Sequence, residues 1–486
     1  MSVSINELIQ KNDAQGIITM FRNTKKEFVK SYDECMSEYN PQFHKVNDRM
    51  VRKDKKIKIP IEGKYDQFGE QMYKTKKVPR VRVSVPVQRV LVERSVGFLF
   101  GIPVVYKNRG HMNEHESKLY EQVLTVLSDN KMSYNDKKIG RSVFSERESA
   151  EIWYFLLDEK GKPTKMKVRI VSPSRGDALY PHYDEYDRMD AFARGYKEKD
   201  INGEIINHFD VYTSDKVYRY ASKGGSDLTL LENPKRHGFS KIPVVYYRQE
   251  ETEWECVQPI IERMEELISN WGDTNDYFGS PSYFVSGTIE GFAEKGEQGR
   301  VYTGTEGADM KVLSWDSSPQ SMNAELSTLT NIIFSYSQTP DISFESMKQL
   351  SGKTSGVAIK LMFTDPHMKA SMKIEQFGEM FTRRCNIIKN GIVTTLKPIP
   401  PSYVDSLVIE PNFTPYAPKN DSELVNMIRI AVGDKPIMSQ EDGIICNPLV
   451  SNPIETMDRI KRESQEDAQG VTNITVPTEG EQRYGR

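Results

Sequence analysis

The residues Gly352-Lys353-Thr354 match the end of a nucleotide-binding P-loop, in which backbone amides surround the phosphates and the lysine reaches the terminal ones. A complete motif also needs a glycine at position 347, where this sequence has Met347. The preceding segment, 340–346, is not the buried apolar strand from which a P-loop starts. We therefore expect no nucleotide site here and no intrinsic ATPase activity.

The segment His111-Met112-Asn113-Glu114-His115 has the spacing H-x-x-E-H, in which two histidines bind zinc and the glutamate activates water. Polar residues flank it on both sides, so no apolar face would hold the ligands rigidly. The sequence therefore predicts a polar surface loop at this position, without a metal.

Four carboxylates lie close together at Asp184, Glu185, Asp187 and Asp190. Clustered carboxylates bind the hard divalent cations that nucleases use, but an exposed acidic stretch would have the same pattern. The sequence has no G-x-S-x-G and no G-x-G-x-x-G motif. A metal-dependent DNA-processing enzyme stays open as an alternative, whereas the main prediction is a protein that is not an enzyme and has no cofactor.

The amino-acid composition further limits the classes of protein that fit this sequence. The 486 residues suggest about three domains or one large elaborated domain. Because 66 Lys+Arg face 69 Asp+Glu, giving a net charge of -3, any DNA contact must be local. The four cysteines are far apart and form no C-x-x-C pair, which indicates a reducing compartment. No export signal and no membrane span are predicted.

The first half of the chain is predicted to be α+β. Residues 1–48 have the spacing of one or two amphipathic helices. The basic segment 49–82 is interpreted as a solvated, partly mobile loop, with a contact to an acidic partner or nucleic acid as the alternative. Alternating valines at 81–87 predict a strand, followed by a helix that ends at Gly101. A helix over 117–141 and short strands follow, including a hairpin of 209–212 with 217–220.

The second half is predicted to be mainly helical. Apolar residues from Val257 to Trp271 form one continuous helical stripe. A glycine-rich stretch follows, with short strands at 283–285 and 300–303, and Pro319 then begins a second helix. The remaining predicted elements are a polar loop to 354, a long helix over 355–391 kinked at Pro366 and capped by Gly391, a strand at 407–411, helices at 421–432 and 453–463, and a disordered tail from 464.

Several segments, in this order, resemble the portal (head-to-tail connector) proteins of tailed bacteriophages. They are PVQRVLV at 86–92, GFLFGIPV at 97–104, FDVYT at 209–213, GFSKIPVV at 238–245, TPD at 339–341, TSGVAIK at 354–360, IMSQE at 437–441 and the helix 455–463. The resemblance covers roughly residues 80 to 465, and the first eighty residues match least.

This resemblance implies a ring of about twelve copies at one capsid vertex. Double-stranded DNA would be packaged through its channel by a separate terminase motor and later ejected, and neck or adaptor proteins and capsid or scaffold protein would bind the ring. The protein would reside in the virion after assembly in the host cytoplasm, with no membrane contact. A minor capsid or scaffold component is the other alternative.

The resemblance also implies a division of the chain. A wing would comprise 1–255 and the return strand 392–420, and a crown with a flexible tail would comprise 421–486. Between them would lie two stem helices at 256–278 and 318–338, a clip at 279–317, a tunnel loop at 339–354 and the long kinked helix at 355–391.

The functional residues that follow from this division are in the tunnel loop and the clip. The tunnel loop would face the DNA channel with Lys348, Gln349, Lys353 and Thr354. The clip would dock the motor and the neck proteins with Tyr283, Gly287, Gly291, Gly296, Gly299, Arg300 and Tyr302. The first stem helix carries Glu262, Glu265 and Glu266 against Arg263, and an acidic surface would let a polyanion slide rather than bind.

Overall fold

Helices and antiparallel strands alternate along most of the chain. The computed structural model describes residues 5–11, 13–223, 228–278, 282–286, 289–290, 303–304, 309–313, 319–342, 363–396, 400, 402–416, 421–433, 436–450 and 452–471. These form two units: Met1–Lys348 with Phe363–Tyr416, and Gln349–Met362 with Ala417–Arg486. No helix among the described residues is long and apolar enough to cross a membrane.

The helices are α1 (Ile5–Gln10), α2 (Ala14–Thr24), α3 (Tyr32–Tyr39), α4 (Val87–Phe100), α5 (Glu114–Asp129), α6 (Met132–Glu146), α7 (Gln258–Phe278), α8 (Pro319–Tyr336), α9 (Thr364–Gly391), α10 (Ser402–Ser406), α11 (Asp421–Val432), α12 (Gln440–Cys446) and α13 (Pro453–Val471). Short 3-10 turns and one π-helical turn, Ile392–Leu396, supplement them.

The strands are β1 (Lys55–Tyr65), β2 (Gln71–Val78), β3 (Val105–Asn108), β4 (Glu148–Leu157), β5 (Pro163–Val171), β6 (Ala178–Tyr183), β7 (Met189–Lys199), β8 (Ile205–Tyr212), β9 (Lys216–Lys223), β10 (Thr229–Leu230), β11 (Lys235–Arg236), β12 (Val244–Arg248), β13 (Ser282–Ser286), β14 (Ile289–Glu290), β15 (Thr303–Gly304), β16 (Asp309–Leu313) and β17 (Ile409–Asn412). The largest sheet has the order β10-β9-β8-β7-β6, with β11 beside β9, and a second sheet has the order β12-β4-β5.

The first unit has a central core around helix α9. Phe377 and Phe381 of α9 are fully buried, together with Phe100 of α4 and Phe144 of α6. Arg384 is equally buried, and it donates to Asp136 (NH2 to Oδ1, 2.8 Å) and to Glu151 (Nε to Oε1, 3.0 Å). Because a buried guanidinium is stable only when it is paired, this cluster fixes α9 against α6 and β4.

The N-terminal helices cover one face of the largest sheet. Ile17, Ile18 and Phe21 of α2 are buried against Phe209 and other residues of this sheet. Three helices are found where one or two were expected. The predicted hairpin of 209–212 with 217–220 is confirmed as β8 and β9.

The structure of the basic segment 49–82 contradicts its interpretation as a loop. Residues 55–78 form a two-stranded antiparallel hairpin, β1 and β2, whose register runs from Lys55 opposite Val78 to Pro60 opposite Tyr73. Ile57, Ile59 and Ile61 recur at every second position, separated by Lys58 and Pro60, as expected for a strand. The run of positive charge led to the prediction of a solvated loop, although the two-residue alternation of a strand was present.

The predicted strand at 81–87 is also wrong. Residues 79–86 pair with no strand among the described residues, and α4 then ends before Gly101 as predicted. The single helix expected over 117–141 is two helices, α5 and α6. Lys131 lies between them with φ 51°, in the left-handed region, and the chain changes direction there.

Helix α9 begins at Thr364, and the first part of the predicted helix, 355–362, lies outside the described residues. Pro366 is its third residue, a first-turn position where an N–H would have no intrahelical partner, so the described helix has no kink at this proline. Gly391 does not cap the helix, because the chain continues into the π-helical turn. A Cβ at Gly391 would lie 2.5 Å from Met166 Cε, so close packing explains this glycine.

The second unit, within the described residues, is helical. Helices α11 and α13 match the predicted segments 421–432 and 453–463, but α13 continues to Val471, into the stretch that was expected to be disordered. The additional helix α12 begins after Ser439, whose hydroxyl accepts from the Asp442 amide at 3.0 Å.

Candidate functional site

Two helices that are connected by short strands form the scaffold of the candidate site. Helices α7 and α8 are the predicted stripe and the helix beginning at Pro319, and Arg263 of α7 donates to Glu325 of α8 (NH2 to Oε1, 2.9 Å). Between them in sequence, β13 pairs with β16 and β14 pairs with β15. The predicted helix, β-hairpin, helix order is therefore confirmed.

The extended segment 79–86 lies along α7, and side chains of the helix accept its amide protons. Val81 donates to Asp273 (3.1 Å), Val83 donates to the Ser269 hydroxyl (2.9 Å), and Val85 donates to Glu265 (2.7 Å). The acceptors are four residues apart and share one helix face, whereas the donors alternate along an extended chain. These three bonds, here called the amide ladder, replace the strand pairing that the alternating valines predicted.

Glu265 therefore does not contribute to an acidic channel surface. It is 1% exposed, and its Oε1 also lies 2.6 Å from Nδ1 of the buried His44. Glu262 forms an ion pair with Lys45 at 2.9 Å, and Glu266 forms one with Arg263 at 3.3 Å. The expectation that Glu262, Glu265 and Glu266 give this helix an acidic surface is therefore wrong for Glu265, which is buried.

The ends of the segment 343–362 are held together by a buried charge cluster. Lys369, near the start of α9, donates to the carbonyl of Ser337 just beyond α8 at 2.9 Å and pairs with Glu253 at 2.5 Å. Lys373, one turn later, lies 2.6 Å from the other oxygen of Glu253, and the Ser95 hydroxyl donates to this carboxylate at 3.0 Å. We call Glu253, Lys369 and Lys373 the anchor cluster.

The electrostatics of the anchor cluster favour the ionised carboxylate. Burial by itself would raise the pKa of Glu253, but the charges of Lys373 and Lys369 and their hydrogen bonds outweigh it and lower the pKa to about 2. Burial likewise lowers the pKa of Lys373, against the opposing effect of Glu253. The Glu253 carboxylate is therefore ionised at neutral pH.

Arg94 of α4 holds the chain just after α8. Its NH1 donates to the Pro340 carbonyl at 2.6 Å, its NH2 lies 3.5 Å from Asp341, and its guanidinium lies 4.8 Å from the centre of the Phe334 ring. Gln338 has φ 50°, so the chain turns sharply before this contact. The described residues on the two sides of 343–362 are thus held at one base.

Most of the residues predicted for function lie outside the described residues: Lys348, Gln349, Lys353, Thr354, Gly287, Gly291, Gly296, Gly299, Arg300 and Tyr302. Tyr283 is on β13, opposite Val312. Sequence reasoning missed the anchor cluster. Its one signal was the pair of lysines four residues apart on one helix face, which is unfavourable without a nearby acid.

Asp184 and Asp190, two of the carboxylates considered for a metal site, instead bind residues in or beside the turn between β6 and β7. Asp184 accepts from the amides of Tyr186 and Arg188, both at 2.9 Å, and its other oxygen binds the Arg188 side chain. Asp190 lies 2.5 Å from Nδ1 of His182. In the described part of the chain, no three His, Cys, Asp or Glu residues are placed to hold a metal ion.

The H-x-x-E-H segment spans the beginning of α5. Asn113 caps the helix by accepting from the Glu116 amide at 2.9 Å, and Glu114 pairs with Lys118. The ring of His115 stacks on Tyr403, with the centres 5.2 Å apart. The expected polar surface loop is confirmed for His111 to Asn113, whereas Glu114 and His115 lie in the first turn of α5 and make the contacts of a helix start.

Comparison with known proteins identifies the family. Residues 20–470 match the sequence model of the family described as phage portal protein, SPP1 Gp6-like. The portal protein of Bacillus phage SPP1 is 22% identical over 478 residues, which cover 91% of this chain and 87% of the relative.

Two solved structures show a weaker likeness. The neck of a native gene transfer agent particle, computed with C12 symmetry, has a TM-score of 0.37 at 10% identity and covers 74% of this chain and 88% of the other. A chain from the gene transfer agent virion has a TM-score of 0.40 at 9% identity and covers 89% and 98%. The assignment rests on the sequence match, which spans most of the chain: this protein belongs to the SPP1 Gp6-like family of phage portal proteins.

Proposed function

We propose that the protein forms a ring of about twelve copies at one capsid vertex, through which double-stranded DNA is packaged and later ejected. A separate terminase motor would drive packaging, and neck or adaptor proteins would bind afterwards. Capsid or scaffold protein would surround the ring, which is assembled in the host cytoplasm and carried in the virion. The wing, stem, clip, tunnel-loop and crown boundaries are those given by the family resemblance.

The observation that carries the proposal is the common base of the segment 343–362. Lys369 joins the chain just after α8 to the start of α9, so the described residues that flank 343–362 lie at one place. A loop held in this way can project without disturbing the helices that carry it, which suits a loop beside moving DNA. Lys348 and Lys353 would be its basic residues.

Electron microscopy of the purified full-length protein tests the proposal. We expect closed rings with an axial channel, and class averages would give the subunit number. A protein that stays monomeric at micromolar concentration in every assembly condition would contradict it. Partial assemblies without a closed channel would instead favour a scaffold or minor capsid role.

A further inference from the structure

The hairpin of β1 and β2, residues 55–78, has an unusual distribution of charge. Its paired segments 55–60 and 73–78 contain six lysines and no acidic residue, whereas the acids Glu62, Asp66 and Glu70 lie towards the turn. Lys56 is directly opposite Lys77 in the register. Like charges in this position repel each other, so the isolated hairpin carries an electrostatic cost that an acidic partner would remove.

The hairpin also exposes apolar side chains. Ile57 is 41% exposed, Met72 43%, Tyr73 57% and Phe68 82%. A two-stranded sheet that is solvated on both faces is marginally stable at best. Both the charge and the apolar surface therefore indicate that the hairpin packs against another surface.

The base of the hairpin is fixed to helix α7. Arg52 donates to Asn270 (NH1, 2.9 Å) and Asp273 (NH2, 2.7 Å), and Lys55 lies 3.2 Å from Asp273. After β2, Arg82 closes the base through Asp54 at 2.7 Å. Strand β1 has eleven residues and so spans about 35 Å from this base.

The helix pair α7 and α8 has the opposite charge. The two helices contain six carboxylates and one cationic side chain, Arg263. Five of the carboxylates already bind residues of the same chain: Glu262 binds Lys45, Glu265 binds His44, Asp273 binds Arg52, and Glu266 and Glu325 share Arg263. The side chains of Glu266 and Glu325 nevertheless stay 58% and 41% exposed, and Asp276 is exposed as well. The exposed part of the pair is thus an acidic surface of the same chain.

We infer that the basic hairpin of one copy lies on the acidic α7–α8 surface of the next copy in the ring. This inference rests on the proposed ring. The contact joins two different surfaces, and such a heterologous interface closes into a ring when repeated around an axis. Charge complementarity at the interface would fix its register and make assembly sensitive to salt.

Charge reversal in the full-length protein tests the inference. Lys56→Glu with Lys77→Glu should raise the concentration needed for ring formation at least about tenfold, measured by sedimentation velocity, because attraction becomes repulsion. Adding Glu266→Lys and Asp276→Lys to this variant should restore assembly. Lys160→Glu with Lys165→Glu, on the exposed β4–β5 hairpin, is the matched control and should assemble as wild type. Equal thermal unfolding of all variants would show that folding is intact.

The outcomes separate this inference from the proposed function. Rings from wild type and from the Lys56→Glu, Lys77→Glu variant at the same concentration and salt would overturn the hairpin contact and leave the proposed function standing. The same result together with loss of binding to a short fluorescein-labelled DNA duplex would assign the hairpin to nucleic acid instead. Absence of rings from wild type would overturn both.

Discussion

Lys369 and Glu253 form an ion pair in the protein interior, with Nζ and Oε2 2.5 Å apart and the carboxylate side chain 1% exposed. Lys369 also binds the carbonyl of Ser337, so the pair connects three segments: the chain before α7, the end of α8 and the start of α9. A change at Glu253 is therefore expected to affect both ends of the segment 343–362, although Glu253 lies 90 residues before it in sequence.

Glu253→Gln should remove a pH-dependent part of the stability. The folded pKa of about 2 is below the ordinary value of 4.5, so the ionised carboxylate stabilises the fold above pH 4.5 and this contribution is lost as the pH falls towards 2. The difference corresponds to on the order of 3 kcal/mol. Thermal unfolding followed by circular dichroism between pH 7 and pH 3 should show a lower and flatter stability curve for the variant.

Glu250→Gln is the matched control for this experiment. Its carboxylate pairs with Lys26, but the side chain is 57% exposed, so we expect a change within experimental error at pH 7. An E253Q protein with the same pH dependence as wild type would contradict the role of the anchor cluster.

Ser269→Ala removes the middle acceptor of the amide ladder. The Val83 amide would lose its partner beside a fully buried side chain, which should destabilise the protein by about 1–2 kcal/mol in urea unfolding. Ser335→Ala, on the exposed face of α8, should have no measurable effect. Equal unfolding midpoints for both variants would show that water replaces the hydroxyl at no cost.

Lys348→Ala with Lys353→Ala should leave the ring intact and alter DNA packaging or retention. A lysine acts on phosphate only within about a Debye length, ~8 Å at physiological salt, so the effect should be larger at low salt. Packaging assays at two salt concentrations, with Lys160→Ala and Lys165→Ala as the control, measure it. A structure that places both lysines on the outer rim of the ring would remove the basis of this prediction.

Deletion of residues 291–299 should preserve ring formation and impair binding of the motor or the adaptor. The strands β13 and β16 lie outside this stretch and can still pair, whereas the glycine-rich residues between β14 and β15 would be lost. Pull-down of terminase and of neck proteins by the variant ring tests the prediction. Undiminished binding of both partners would contradict the clip assignment.

The purified protein should not hydrolyse ATP, because Met347 stands where a P-loop needs glycine. A phosphate-release assay free of terminase checks this. Hydrolysis by wild type that disappears in Lys353→Ala would demonstrate a nucleotide site after all.

Two kinds of element were predictable from the sequence: strands that pair with a strand close by in the chain, and helices whose apolar residues all lie on one face. The stripe of α7 has Ile261, Met264 and Leu267 on its buried face, so periodicity alone located the helix. The hairpin of β8 and β9 has both strands and its turn within one short stretch, and Tyr212 pairs with Val217 as expected.

The amide ladder and the anchor cluster depend on contacts that local patterns do not contain. The ladder joins residues 180 to 192 positions apart, and the alternation of Val81, Val83 and Val85 is the same whether a strand or a helix accepts their amides. For β1, the alternation of Ile57, Ile59 and Ile61 indicated a strand, whereas the run of positive charge indicated a solvated loop. The alternation proved correct. In the anchor cluster, tertiary folding brings Glu253 to the two lysines.

The amide ladder also limits how the extended segment can move along α7. Four residues of a helix rise about 6.0 Å, whereas two residues of an extended chain advance about 6.6 Å. Because these two repeats differ slightly in length, donors and acceptors stay aligned over a short distance only. The differing lengths of the Glu265, Ser269 and Asp273 side chains compensate for the mismatch across the three bonds. Sliding the segment by one residue would turn every donating amide away from the helix, so a one-residue insertion there should be tolerated far less than one in a surface turn.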